Sequence, residues 1–313
     1  MNNLQSNFAE QILRYLDYRE ALGYSRMTDG HMLARFDKYC AANHPDAKEL
    51  TCELVSGWID SENTSIANKT TAIRNFAKYL QAHGRDAYEL PANGQSREKG
   101  RFLPHMFTPK ELRALFSSID KIKSSLRHPH LPVILPAMFR LIYSCGLRPN
   151  EGRELLRDNI DFETGAIRIV NTKGKKERTV VMSDDMCKLC NEYDEKRKEF
   201  AGVNPYFFPS ENGGVYTDKV IQQWLGECWA AANPKVPKSK LPPVRVYDLR
   251  HVFATTALTR WIEAGANINA KLAYLQAYMG HETINETLYY IHLLPETLLS
   301  GGNWDTLPEC EVS

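Results

Sequence analysis

The chain has 313 residues, 43% hydrophobic, 10% aromatic and 25% charged, with a formal net charge of +1. That length allows two ordinary domains, each with its own core, and the composition is that of a soluble globular protein. No stretch approaches the roughly 18 apolar residues that span a bilayer, and the opening MNNLQSNFAEQILRYLDYRE is amphipathic with early acids, unlike a signal peptide, which argues against a membrane and for the cytoplasm.

Residues 1–90 read as all-helical. Phe8, Ile12, Leu13 and Leu16 recur at helical spacing, as do Met32, Leu33, Phe36 and Tyr39. Gly23 is placed to end the first helix, and Thr28 or Asp29 to cap the second. A further helix from Ser65 should carry Ile73, Phe76, Ala77 and Leu80 into a core. Residues 91–105, PANGQSREKGRFLPH, break the pattern with Pro91, Gly94, Gly100 and Pro104 and the cations Arg97, Lys99 and Arg101, a basic linker. Its charge suits a phosphate backbone and equally suits a solvated tether.

A second domain over 106–300 opens with FTPKELRALFSSID, where Thr108 is an N-cap, Pro109 the first helical residue and Glu111 the acid of a capping box. A buried helix is expected from Leu131 to Ser144. The stretch IDFETGAIRIVNTKGKKERTVVMS reads as short strands with turns at Glu163-Thr164-Gly165 and Lys173-Gly174-Lys175, and after residue 183 the pattern is helical again. The expected fold class is mainly α with a small antiparallel β-sheet: a helical domain, the linker, a mixed α+β domain and a tail over 301–313.

Seven cysteines (Cys40, Cys52, Cys145, Cys187, Cys190, Cys228, Cys310) are scattered and odd in number, and read as reduced thiols. Cys187 and Cys190 form a lone CxxC with no second pair at zinc spacing, so helix packing is the reading and no metal site is expected. Net charge is weak for a nucleic-acid binder, but cations cluster: Lys173, Lys175, Lys176 and Arg178 in one knot, and Lys235, Lys238, Lys240 and Arg245 in another. Such knots fit solvated loops as readily as phosphate contacts.

Three stretches carry chemistry. In SCGLRPNE (144–151) a buried helix ends at Gly146, Arg148 follows at once, and the next helix starts at Pro149. Such a turn can hold a guanidinium rigidly, with Glu151 close enough to orient it. In YDLRH (247–251), Tyr247 and Arg250 are three apart and share a helix face. Two arginines suit a phosphodiester, since each fork can bind non-bridging oxygens in bidentate fashion. Taken singly, the first stretch also fits a helix-connecting turn with a surface ion pair, and the second an amphipathic helix with a wet charged face. The third is MGH (279–281), followed nine residues later by Tyr290 and then by His292.

In this order and spacing, GLRPNE, TKGKKER, YDLRH, MGH and YYIH resemble the tyrosine recombinases, also called phage-type integrases. The resemblance covers the C-terminal domain; more weakly, YLDYREALGYSRMTDGHMLARFDKY resembles the family's helical core-binding module. It implies an N-terminal domain that helps clamp DNA and a catalytic domain that works through a covalent tyrosine–phosphate intermediate. Arg148 and Arg250 match the family's two catalytic arginines, Lys173 its general acid, His281 the histidine ahead of the nucleophile, Tyr290 the nucleophile, and Glu151 the acid supporting the first arginine. His251 would be a further supporting residue, and Lys175, Lys176 and Arg178, with Arg97, Lys99 and Arg101, the DNA-contacting cations.

One position departs from the family pattern, which most often has histidine where this chain has Tyr247. A phenol can donate a hydrogen bond to a phosphate oxygen, but with a pKa of about 10 it is a poor base. Tyr247 should then stabilise charge, and His281 becomes the proton partner of the nucleophile. Tyr289 is a rival nucleophile, but helix neighbours point about 100° apart, and the interval from His281 selects Tyr290; Tyr289 is expected to pack.

No carboxylate cluster of a metal nuclease and no GxxxxGK[ST] loop is present, so no cofactor is expected. The partners implied are double-stranded DNA bearing a recombination site, further copies of the chain in a tetramer on that DNA, and a companion recombinase or accessory factor. The alternatives are a type IB topoisomerase, relaxing DNA as a monomer without site preference, and a non-catalytic DNA-binding protein on the same fold. The two-domain layout resembles Xer-type and transposon-type recombinases, and LAYLQAYMGHETINETLYYIHLLPE resembles recombinases of mobile elements. The tail, with Gly301 and Gly302 as hinge and Trp304 or Leu307 as anchor, is expected either to fold back on its own core or to dock on a neighbouring protomer.

Overall fold

The structure, a computed structural model, describes residues 4–61, 66–91, 103–170 and 177–294. It is mostly helical with a two-stranded antiparallel sheet, the expected class, and divides into two compact units, 1–102 and 103–313.

The described residues of the first unit form helices α1 (Ala9–Ala21), α2 (Arg26–Asn43), α3 (Cys52–Asp60) and α4 (Ile66–Ala82). Ile12, Tyr15 and Leu16 of α1 are buried, whereas Leu13 turns partly to solvent. The cap of α2 is Ser25, whose side chain accepts from the Met27 amide, and not Thr28 or Asp29. Asp29 is instead buried and accepts the Tyr15 hydroxyl at 2.5 Å. Helix α3 has no counterpart in the sequence reading; Thr51 caps it, and Leu54, Val55, Trp58 and Ile59 form its buried stripe. On α4, Ile73, Phe76, Ala77 and Leu80 face the core as their spacing predicts. Beside them the buried Lys69 ammonium donates to the carbonyls of Trp58 and Ile59 at 3.0 and 3.3 Å. Those carbonyls lie in the last turn of α3, where helix carbonyls lack internal partners and carry partial negative charge.

The second unit begins with α5 (Pro109–Ile119), capped by Thr108 and Glu111 in the expected reciprocal box. The expected buried helix is α6 (Leu131–Ser144), packed against α5, against α8 (Asp184–Ala201) and against α10 (Val246–Glu263). Between α6 and α8 lie α7 (Pro149–Arg153) and the strands β1 (Ala166–Ile169) and β2 (Arg178–Val181), paired with Ala166 opposite Val181 and Ile169 opposite Arg178. Gly165, at φ +70°, closes the turn into β1. The unit continues with α9 (Asp218–Ala232), α11 (Ile268–Met279) and α12 (Ile284–Leu288). Cys190 is buried on α8 and Cys187 donates to the Phe162 carbonyl, so the CxxC packs the helix as expected.

Two apolar clusters result. The larger gathers α5, α6, α8, α9, the sheet and the first turns of α10; the smaller holds Ala254, Leu258, Leu272, Leu275, Met279, Leu288, Tyr290, Ile291 and Leu294. The C-terminal ends of α6 and α11 and the first turns of α10 meet where these clusters adjoin. Among the described residues, no helix is long and apolar enough to cross a membrane, and no group of three or more His, Cys, Asp or Glu is placed to hold a metal ion.

Candidate active site

Helix α6 ends in Gly146, at φ +59°, a left-handed conformation that favours glycine. A Cβ there would lie 2.4 Å from the Phe253 ring. The chain turns through Leu147 and sets Arg148 immediately before α7. The Arg148 amide donates to Glu151 Oε2 at 2.8 Å, its Nη1 to Glu151 Oε1 at 2.9 Å, and its Nη2 to the Gly280 carbonyl at 2.7 Å. Glu151 thus orients this arginine as the turn suggested.

Glu151 also takes both η nitrogens of Arg178, at 2.8 and 2.7 Å. Arg178 Nε donates to the Tyr278 carbonyl at 2.8 Å, and its side chain is only 9% exposed. Arg178 was expected among the DNA-contacting cations; it faces inward instead, because the nearly buried carboxylate of Glu151 would otherwise lack a full countercharge. Burial by itself would raise the Glu151 pKa, but the hydrogen bonds and charge of Arg178 and Arg148 outweigh it and hold the group down at about 2.

The second arginine stands on the first turns of α10, which begins after Arg245, whose amide donates to Asp248 Oδ2 at 2.8 Å. Arg250 is fully buried. Its Nη1 donates to the Gly146 carbonyl at 2.6 Å, its Nη2 to the Met279 carbonyl at 2.6 Å, and Nη2 also meets His281 Nε2 at 3.2 Å. Glu151 Oε2 lies 3.9 Å from Nη1. An unencumbered two-pronged fork, as expected from the sequence, is therefore not what Arg250 presents: both hydrogens of Nη2 are committed within the protein, and Nε is buried without a partner. Tyr247, one turn earlier, is 36% exposed and hydrogen-bonds Arg148.

Helix α11 ends at Gly280, at φ +65°, and His281 follows. Its Nδ1 lies 2.8 Å from Thr287 Oγ1 on α12. Tyr290 sits just past α12, at the step into a short 3₁₀ turn (Ile291–Leu293), and is 2% exposed. Its ring stacks on His281 at 5.8 Å and meets His251 at 5.5 Å. Burial pushes its phenol up to about 12, against the charge and hydrogen bond of Arg250 and the charge of Arg148. Tyr289 is half-buried against the smaller cluster, its ring also 5.9 Å from His251, a packing position as the sequence suggested. Burial first, and the nearby arginines second, drive the imidazoles down, His281 to about 3 and His251 to about 4, so both are neutral at pH 7.

The structure therefore brings Arg148, Glu151, Tyr247, Arg250, His251, His281 and Tyr290 together. Lys173, Lys175 and Lys176, and Arg97, Lys99 and Arg101, lie outside the described residues. His281 departs from its expected part as proton partner, because both ring nitrogens already have partners in Arg250 and Thr287. Thr287 went unnoticed in the sequence, although three residues before Tyr290 is one helical turn. Three arginines around one carboxylate leave the pocket positive, with a protonated phenol inside it: a place for an oxyanion next to a nucleophile.

Comparison with known proteins agrees with this geometry. The profile of the phage integrase family matches residues 105–297. Putative integrase/recombinase y4rB of Sinorhizobium fredii is 26% identical over 303 residues, 94% of this chain and 95% of that protein. Tyrosine recombinase XerC of Mannheimia succiniciproducens is 30% identical over 230 residues, 73% of this chain and 70% of that one. Among solved structures, the XerH site-specific recombinase bound to a palindromic difH substrate, a post-cleavage complex, shares the fold with a TM-score of 0.64 at 20% identity, covering 98% and 92% of the two chains. With its profile matching well over half of the sequence, the chain belongs to the phage integrase family and is a tyrosine recombinase.

Proposed function

We propose that this recombinase breaks and rejoins double-stranded DNA at a specific site through a 3′-phosphotyrosyl intermediate, with Tyr290 as nucleophile. The observation that carries the reading is the convergence of the Tyr290 hydroxyl with Arg250 and Arg148 in one buried, positive pocket. A phosphodiester resists attack because it is anionic and its alkoxide leaves poorly. Arg148 and Arg250, held in place before reaction, offset the charge that grows on the non-bridging oxygens. Tyr247, at the exposed rim, adds a neutral donor. The Tyr290 oxygen bonds to phosphorus, passing its proton to a phosphate oxygen or solvent, as the bond to the 5′ oxygen breaks. Lys173, on the family resemblance, gives that oxygen its proton, worth about 10²–10⁴-fold for a well-placed acid. Attack by a 5′ hydroxyl then restores the phosphodiester and frees the tyrosine, so the bond energy is kept and no nucleotide is consumed.

The wider reading is a cytoplasmic enzyme of a mobile element, acting as a tetramer on two duplexes with a companion recombinase or accessory factor. In it the first unit helps clamp the duplex, residues 91–105 follow the phosphates, Lys175 and Lys176 contact DNA beside Lys173, and residues 301–313 dock on the next protomer. Its support is the resemblance of residues 272–296 to mobile-element recombinases and the full-length match to a putative integrase/recombinase. Duplexes enriched from a random library by binding to the protein, then nicked so that cleavage is trapped, test it. A recombinase forms an adduct at one position and joins two duplexes. A topoisomerase relaxes plasmids without site preference, and a mere binder does neither.

A further inference from the structure

The pocket holds a chain of hydrogen bonds whose direction can be worked out from donors and acceptors alone. Arginine offers five N–H donors and no acceptor. The His281 nitrogen that meets Arg250 Nη2 at 3.2 Å must therefore present its lone pair, so Nε2 carries no proton. In the neutral ring the proton then sits on Nδ1, 2.8 Å from Thr287 Oγ1, and is donated to that hydroxyl. The reverse arrangement, with Thr287 donating to Nδ1, would set an Nε2–H against a guanidinium N–H inside a buried site, two donors with no acceptor between them.

Thr287 is itself fully buried, so no water competes for its hydroxyl. Its carbonyl, moreover, accepts the Tyr290 amide at 3.0 Å. One residue thus touches the nucleophile's turn through its backbone and the arginine-holding histidine through its side chain. We infer that Thr287 is a positioning residue: by accepting the Nδ1 proton it fixes the His281 tautomer whose Nε2 lone pair holds Arg250 in place for the scissile phosphate. The inference rests on the reading of this pocket as a strand-cleavage site.

Two consequences follow for Arg250. Its Nη2 is pinned between His281 Nε2 and the Met279 carbonyl, so the guanidinium plane has little freedom to turn. The donors that remain, the Nε–H and the second hydrogen of Nη1, are what Arg250 has for the Tyr290 phenol and for substrate together. His281 meanwhile contributes by holding Arg250 and leaves the Tyr290 proton to another acceptor, such as solvent or the phosphate.

The test compares Thr287→Val, which keeps the shape and removes the acceptor, with Thr287→Ser, which keeps the hydroxyl. Single-turnover cleavage of a nicked duplex should slow about tenfold in the valine variant, the loss expected from one hydrogen bond, with DNA affinity unchanged and the serine variant close to wild type. Nitrogen-15 spectra of the full chain labelled at histidine should show the His281 proton on Nδ1, hydrogen-bonded in the wild-type and serine proteins, and that bonded proton lost in the valine variant. A wild-type proton on Nε2 overturns the inference, whatever the variants do. So does a valine variant that cleaves at the wild-type rate or keeps the bonded Nδ1 proton, or a serine variant as slow as valine. If the wild type forms no covalent adduct with DNA, the strand-cleavage reading falls, while the spectra still decide the tautomer.

Discussion

Glu151 shows how much one side chain can be asked to do. A carboxylate has about four lone-pair directions, and here they meet the Arg148 amide, Arg148 Nη1 and both η nitrogens of Arg178. Glu151→Gln removes the charge and sets an amide N–H against a guanidinium, leaving a buried cation uncompensated. The expected cost is about 3–5 kcal/mol at pH 7, read from urea unfolding. The pH dependence has a definite sign. Because the folded pKa is about 2, below the ordinary 4.5, the stabilisation is fully present above pH 4.5 and is lost as pH falls toward 2, so the difference between wild type and variant should shrink across that window. A difference that stays constant from pH 7 to pH 3 would contradict this account of the pair. At this scale Arg148, Arg250 and Tyr290 were legible because each stands in a motif of fixed spacing. Arg178 was not, since a run of cations does not reveal which one turns inward; its partner lies 27 residues away, and only the fold brings the two together.

Helix ends explain why the arginines hold still. Gly146 closes α6 and Gly280 closes α11, and these left-handed turns expose carbonyls at the negative ends of their helices. Arg250 takes the Gly146 and Met279 carbonyls, and Arg148 takes that of Gly280. The anchoring is crossed, since each arginine is tied to the end of a helix other than the one it precedes or stands on. Gly146→Ala would force a Cβ within 2.4 Å of Phe253 at a positive φ. It should cost upwards of about 2 kcal/mol and slow cleavage by about tenfold or more as the carbonyl shifts. Gly202→Ala is the control: its φ is also positive, but nothing lies within 4 Å, so about 1–3 kcal/mol of backbone strain and an unchanged cleavage rate are expected. Equal cleavage by the two variants would dissociate the Gly146 turn from the site. The capping box of α5 and the apolar run of α6 were legible because local signals coincide with the fold there. Helix α3 was not, being only nine residues long, about two and a half turns of periodicity, and α2 starts three residues before Asp29 because Ser25 is the better-placed cap.

At the scale of the whole molecule, a net charge of +1 conceals a positive pocket, which is why composition said less about partners than motif order did. The tail is the segment through which we propose that one protomer reaches the next. Deleting residues 301–313 should leave single-site binding and slow strand cleavage while removing synaptic tetramers and recombinant product. Gel shift and crosslinking on two-site DNA read this directly, and tetramers formed by the truncated protein would rule the docking out. The central claim, that Tyr290 forms the covalent bond to DNA, rests on a choice between adjacent phenols, one fully buried and hydrogen-bonded to Arg250, the other half-buried at the edge of the smaller cluster. The most direct measurement is denaturing electrophoresis of protein incubated with a nicked, labelled duplex, followed by identification of the phosphotyrosyl peptide. The account predicts that wild type and Tyr289→Phe give an adduct on the peptide containing Tyr290, and that Tyr290→Phe binds the same DNA yet gives none. An adduct in Tyr290→Phe that disappears in Tyr289→Phe would contradict it.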